Sequence, residues 1–337
     1  AAAVVLASAL DAAVAEPPAR IHPVALFGRL VARVDRGGER SGGWAHPRVV
    51  GVAAAVVLPV LAAGVVAAAV GAGSAAHPWV GAAVAGLVLF STTSLRALLD
   101  RARDVIAASD ADLDAARRDL RALAGRDAAS LDAAHVRSAA VESLAENLAD
   151  GLVAPLAAFA TVVAVGSAAA GAGGGAPVAG PDVGLALAAG AAAWVKAVNT
   201  LDSMLGYRSK PVGWAPARLD DAVMWLPARL SALLLGIVGR APGLPLRRRV
   251  RTLASRPASP NSGWPMATMA AVLPARLAKP GAYDLDPDTA PTGSGGAAAD
   301  PGEPASLPDI AAAIRAVGLT RRAGLLAAAI AGVVTWF

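Results

Sequence analysis

Three carboxylates, Glu142, Glu146 and Asp150, recur at every fourth position in Glu142-Ser-Leu-Ala-Glu146-Asn147-Leu-Ala-Asp150-Gly151. On an α-helix that spacing places all of them on one face. Like charges stacked this way repel, so the stripe favours a cation among them: Mg²⁺, Arg or Lys. Oxygen ligands with retained water suit Mg²⁺ bound together with a nucleotide. The plain alternative is a solvated helix face ending near Gly151. The stripe leads straight into an apolar run, where an ionisable group is costly, and that favours a site.

A second group follows another apolar run: Lys196, Asn199, Thr200, Asp202 and Ser203. Lys196, Asn199 and Ser203 fall at i, i+3 and i+7, one helical face. Lys196 alone would read as an interfacial snorkelling residue, but the density of polar side chains beside it argues for a site. Arg208 and Lys210, then Arg218, Asp220 and Asp221, set cations beside paired carboxylates. Arg binds phosphate as a fork and Lys as a point charge, while paired Asp suits a metal. An ordinary loop with internal ion pairs is the equal alternative. Ser255–Pro265 is rich in hydroxyl and amide groups, notably Ser259, Asn261 and Ser262. Such a loop can cradle phosphate, although turn chemistry alone calls for the same residues. His22, in His22-Pro23-Val24, reads as structural.

The elements that position these groups are set by an apolar composition. Of 337 residues, 56% are hydrophobic and 16% charged, and the mean hydropathy is +0.54. Soluble domains carry about 25% charged residues, so this is a membrane-type chain. The absence of cysteine excludes disulfides, thiolate metal sites and cysteine nucleophiles. The net charge of +5 is modest and aromatics make up 4%, so no nucleic-acid platform is expected. Residues 1–15 lack the basic start of a signal peptide. No Walker A loop, dinucleotide fingerprint, zinc signature or nucleophile elbow occurs.

Val49–Val70 and Trp79–Leu99 are long enough to span a bilayer, as are Gly151–Ala170 and, more tightly, Val183–Val198. The first pair is expected to be joined by a loop at 71–78 and the second by a Gly/Pro loop at 171–182. Ala1–Ala15 and Ala323–Phe337 are marginal spans, and Trp225–Gly239, with Pro227 and Arg229, reads as re-entrant or packed inside the bundle. The expected fold is all-α: a polytopic membrane bundle of five or six spans with a cytoplasmic layer of amphipathic helices from 100–150, broken at Gly125. Residues 1–283 form the membrane-embedded domain, 284–309 a flexible acidic Gly/Pro-rich loop, and 310–337 a C-terminal helical segment. Loops 71–78 and 171–182 lack Lys and Arg, whereas their flanks are Arg-rich. The positive-inside rule therefore puts the polar motifs on the cytoplasmic face of the cell membrane.

Taken in order, these motifs resemble the adenosylcobinamide-phosphate synthase family of cobalamin biosynthesis, known as CobD or CbiB. The resemblance rests on His22-Pro-Val, Gly125-Arg-Asp127, the Glu142–Gly151 stretch, Lys196-Ala-Val-Asn199-Thr-Leu-Asp202-Ser-Met, Gly206-Tyr-Arg208, Gly213-Trp214, Ala217-Arg-Leu-Asp-Asp221, Pro227-Ala-Arg229 and Ser259-Pro-Asn-Ser-Gly-Trp-Pro265. Two departures stand out. Glu16 occupies the place of the Asp in the family's Gly-Asp-Pro, and the segment after Tyr283 is an acidic insertion.

The resemblance implies an ATP- and Mg²⁺-dependent ligase joining adenosylcobyric acid to (R)-1-amino-2-propanol or its O-phosphate. Its implied partners are those two substrates and the lipid bilayer, with a second copy or other cobalamin-pathway enzymes as candidates for assembly. By residue type we expect catalysis at Glu142, Glu146, Asn147, Lys196, Asn199 and Asp202. We expect nucleotide binding at Arg208, Lys210, Arg218, Ser259, Asn261 and Ser262, and metal at Glu142, Glu146, Asp150, Asp220 and Asp221. A different class, a transporter or sensor binding an ion or small solute at the same polar cluster, would place polar residues mid-span on broken helices. A scaffold subunit would need no clustering of carboxylates and cations at all.

Overall fold

The structure, a computed structural model, describes residues 1–39, 43–125, 127–172, 181–207, 209–288 and 305–336. The chain is mostly helical. In order run α1 (Ala2–Val14), α2 (Pro23–Glu39), α3 (Pro47–Ala76), α4 (Pro78–Thr92), α5 (Leu95–Ala111), α6 (Leu113–Ala124) and α7 (Ala133–Leu148). After a π-helical turn at Ala149–Val153 come α8 (Ala154–Ala172), α9 (Pro181–Leu205), α10 (Trp214–Val223), α11 (Trp225–Val238), α12 (Arg248–Ala254) and α13 (Gly263–Val272). Two short strands, β1 (Leu277–Lys279) and β2 (Tyr283–Leu285), precede α14 (Ile310–Val334).

Five stretches are long and apolar enough to cross a bilayer: Pro47–Ala76, Pro78–Ala111, Ala133–Ala169, Asp182–Leu205 and Ile310–Val334. A bent pair, Pro211–Val223 with Trp225–Val238 at 46°, makes a sixth if it is one broken span. The protein is thus a multi-pass membrane protein. On α3, Val52, Val56, Val60 and Val65 all lie outward and exposed, the stripe a lipid-facing helix presents.

Contacts divide the chain into two interleaved units. The first comprises Ala1–Ser94, Asp150–Met224 and Ala327–Phe337. In it α9 is the central helix, packed by α3, α8, α4, α2 and α10, and α1 lies against α4. Two glycines permit the close approach that holds the segment after α9. A Cβ on Gly51 would lie 2.1 Å from the Val212 carbonyl oxygen, and one on Gly213 would lie 1.7 Å from that of Leu205. Neither position admits a side chain.

The second unit comprises Leu95–Ala149 and Trp225–Leu326. Its helices start and stop on clear local signals. The Asp112 carboxylate accepts from the Ala115 N–H to cap α6, which ends on Gly125 in the left-handed region at φ 60°. The Asp132 carboxylate accepts from the His135 N–H at 2.8 Å to cap α7. That bond, with the His135 ring beside it, holds the Asp132 carboxyl below the usual carboxylate range. The β1–β2 hairpin is antiparallel, with Leu277 opposite Leu285. It packs on α7, where the Ala278 N–H donates to Ser138 Oγ at 2.9 Å.

Several expectations are corrected. The segment 71–78 is no loop: α3 continues to Ala76 and only His77 separates it from α4. The small residues there are tolerated in a helix, and Pro78 sits at the first turn of α4, where its missing N–H costs nothing. The expected span Val183–Val198 extends to Leu205, because no breaker occurs before Gly206. The C-terminal span is 25 residues long rather than marginal. The fold is helical as expected, with one small hairpin of β1 and β2 added. Gly125 does interrupt the amphipathic helices. Most of the hairpin tip at 171–182 and of the acidic stretch 284–309 lies outside the described residues.

Candidate active site

In the first unit, α9 carries Lys196, Asn199, Thr200, Asp202 and Ser203 on its last three turns. Thr200 and Ser203 donate back to the Lys196 and Asn199 carbonyls, both at 2.8 Å. Their hydroxyls are thus used locally, which leaves Lys196, Asn199 and Asp202 to act outward. The half-buried Lys196 lies in the field of three carboxylates: Asp150, Glu16 and Asp220. Asp220 in turn lies near Asp150, Asp202 and Asp221, and the Asn199 amide is its hydrogen-bond partner. One Asp220 carboxylate oxygen is buried with no partner among the described residues. An unsatisfied buried acceptor of this kind costs about 1–3 kcal/mol unless something fills it.

Lys196 and Thr200 also line a cavity of ≈ 100 Å³ between α2, α3, α4 and α9, walled by Pro23, Phe27, Val66 and Val88. The arrangement is a cation and clustered carboxylates beside a small apolar pocket. It can bind a cationic or metal-bridged polar group through the carboxylates, hold an anionic centre at Lys196, and seat a short carbon chain.

Among the described residues no three His, Asp or Glu side chains converge closely enough to hold a metal by themselves. Mg²⁺ commonly takes one or two protein carboxylates and fills its shell with phosphate oxygens and water. The partnerless Asp220 oxygen, with Asp221 and Asp202 nearby, fits that mode.

The other predicted residues of this unit divide. Lys210 is bound by Asp35 at 2.7 Å and lies 5.5 Å from the Tyr207 ring centroid, so its charge is already matched. Arg218 makes a long contact to Asp221 at 3.4 Å and its side chain remains 70% exposed, free to reorient. Arg208 lies outside the described residues.

In the second unit, Glu142 is fully buried. Its Oε1 accepts from Ser138 Oγ at 2.9 Å and its Oε2 from the Tyr283 hydroxyl at 2.6 Å. Ser138 in turn receives the Ala278 N–H, so this carboxylate clamps the hairpin to α7. Glu146 and Asn147 are half-buried, and Asn147 Nδ2 donates to the Ser143 carbonyl at 3.0 Å. The helix becomes π-helical over Ala149–Val153, a departure from α spacing of the kind often found near functional sites.

Ser259 Oγ accepts from the Asn261 N–H at 3.2 Å and from the Ser262 N–H at 3.4 Å. The Asn261 amide oxygen accepts from Arg229 Nη1 at 2.9 Å. Ser259 and Asn261 therefore order their own loop, and Asn261 fixes an arginine that was not among the predicted site residues. Glu16, noted in the sequence only as a departure, is the other addition. Its clue was position alone, ahead of His22-Pro-Val.

Residues 4–317 match the family described as CobD/Cbib protein. The "Cobalamin biosynthesis protein CobD" of Rhodobacter capsulatus is 36% identical over 298 residues, covering 84% of this chain and 83% of that protein. The "Probable cobalamin biosynthesis protein CobD" of Methanothrix thermoacetophila is 33% identical over 287 residues, covering 83% and 84% respectively. The Klebsiella pneumoniae CobD is 35% identical over 291 residues, covering 81% of each chain. No solved structure matches.

Proposed function

The chain belongs to the CobD/CbiB family of cobalamin biosynthesis proteins, and from that premise we propose that it is an ATP-dependent amide ligase. It joins the free propionate of adenosylcobyric acid to (R)-1-amino-2-propanol or its O-phosphate, on the cytoplasmic side of the membrane. The observation that carries the reading is the cluster of Lys196, Asn199, Asp202 and Asp220 beside a small cavity, with a buried Asp220 oxygen left for a ligand.

A carboxylate is a poor acyl donor. ATP with Mg²⁺ supplies the remedy, transferring its γ-phosphoryl group to the propionate oxygen and leaving ADP. Asp220, with Asp202 and Asp221, would hold the cation, and Arg218 is placed to swing onto phosphate. Asn199 fixes the orientation of Asp220. Amine attack then forms the C–N bond and breaks the acyl C–O bond, and phosphate departs with that electron pair. The amine proton must be taken up as the bond forms, and the same carboxylate cluster offers acceptors. Lys196 faces the negative charge that develops on the acyl oxygen. The cavity takes the short aminopropanol chain and is far too small for the corrinoid. On α7, Glu142, Glu146 and Asn147 supply further catalytic groups in this reading.

Purified protein supplied with adenosylcobyric acid, either amine, ATP and Mg²⁺ should form the amide and release phosphate. A folded sample that forms no product with either amine would sink the reading.

A further inference from the structure

Arg229, at the start of α11, is held more rigidly than a surface arginine should be. Its Nη1 donates to the Trp225 carbonyl at 2.7 Å and to Asn261 Oδ1 at 2.9 Å. Its guanidinium carbon lies 4.4 Å from the Trp225 ring centroid and 4.8 Å from that of Trp264. Both rings thus stabilise the cation through their π faces. The aromatic and amide partners are themselves fixed. Ser259 orders the Asn261–Ser262 turn, and the Trp264 N–H donates to the Asn261 carbonyl at 3.0 Å. Next to them Gly263 lies so close to the Ala254 carbonyl that a Cβ there would stand 2.0 Å from its oxygen.

What the arrangement lacks is an anion. Among the described residues no carboxylate pairs with Arg229, and its Nε and Nη2 make no hydrogen bond. A guanidinium locked by one nitrogen and two aromatic rings keeps its remaining N–H groups as a preorganised fork, the geometry that receives two oxygens of a phosphate at once. The neighbouring surface of α11 is apolar, with Leu226, Leu233 and Ile237 exposed. An unneutralised cation beside such a surface is worth its cost when an anion completes it.

We propose that Arg229, flanked by Trp225 and Trp264 and braced by Asn261, is a phosphate-binding fork, filled either by a soluble phosphate group or by the headgroup phosphate of an anionic lipid. This assignment does not rest on the ligase reading, and its test reads binding rather than turnover. The full chain is reconstituted in phosphatidylcholine nanodiscs and treated with the arginine reagent phenylglyoxal. Peptide mass spectrometry then follows modification of Arg229. One arm adds inorganic phosphate, one adds ATP without metal, and one includes phosphatidylglycerol in the disc.

The expected result is slower modification at Arg229, by severalfold, in at least one arm. Protection by phosphate or ATP identifies a soluble ligand, and protection by phosphatidylglycerol alone identifies a lipid. An unchanged rate in all arms overturns the proposal. In addition, Arg229→Lys keeps the charge but loses the fork. The protecting probe should alter tryptophan fluorescence of the parent, and the lysine variant should need about tenfold more of it for the same change. A folded lysine variant that responds as the parent does would equally refute the fork. Should that variant not fold, the protection measured on the parental chain decides alone.

Discussion

Replacing Asp220 with Asn should separate stability from activity in opposite directions. Asp220 lies among Asp150, Asp202 and Asp221, and one of its oxygens is buried without a partner among the described residues. In the folded protein this is a costly position for a negative charge. Asn keeps the shape and still accepts from Asn199, while Lys196 retains Asp150 and Glu16 as counter-charges. Relief of the repulsion should raise stability by about 1 kcal/mol, a typical gain when a strained functional group is neutralised. If Asp220 holds the cation as proposed, the same change removes a hard anionic ligand of Mg²⁺. Loss of one such contact in the transition state costs about 3 kcal/mol, roughly a hundredfold in rate.

The assay is turnover against Mg²⁺ concentration for the parent and the variant, with melting followed in detergent. Corrinoid affinity should hold while turnover falls and the Mg²⁺ requirement rises, the pattern of a contact made mainly in the transition state. Near-parental turnover with unchanged Mg²⁺ dependence would refute the reasoning. So would a lower melting temperature, because the carboxylate would then be a structural partner rather than a strained one.

Glu142 should behave the other way: Tyr283→Phe removes a hydrogen bond to a buried carboxylate and should cost about 1.5–3 kcal/mol of stability. Because Glu142 and Tyr283 share that bond, Glu142→Gln and Tyr283→Phe combined should cost less than the sum of the single changes, and strict additivity in a melting cycle would disprove the clamp. For topology, a reporter inserted between Ala76 and Pro78 should read outside and one at residue 290 cytoplasmic; a cytoplasmic signal at the first position would overturn the sidedness.

Much of this protein is legible in its sequence. Apolar runs of spanning length mark the bilayer helices, because a backbone in lipid has few ways to satisfy its own hydrogen bonds. The ordered polar motifs identify the family, and Asp112, Asp132 and Gly125 announce their helix ends through local chemistry. These properties depend on neighbours a few residues away, so the chain itself carries them.

The roles of individual charges depend on partners far off in sequence. By spacing, Glu142 is one carboxylate of a stripe, and only the tertiary structure shows that Tyr283, 141 residues later, donates to it. The π-helical turn over Ala149–Val153 is a backbone choice that residue spacing does not encode. Lys210 has the type of a phosphate ligand, but Asp35, 175 residues away, already occupies it. Arg229 is one letter of a motif until two tryptophans and an asparagine close around it. Residue type fixes what a charged group is able to do. Which of those things it does is decided by the partner that tertiary packing brings within about 3 Å, where hydrogen bonds and ion pairs act.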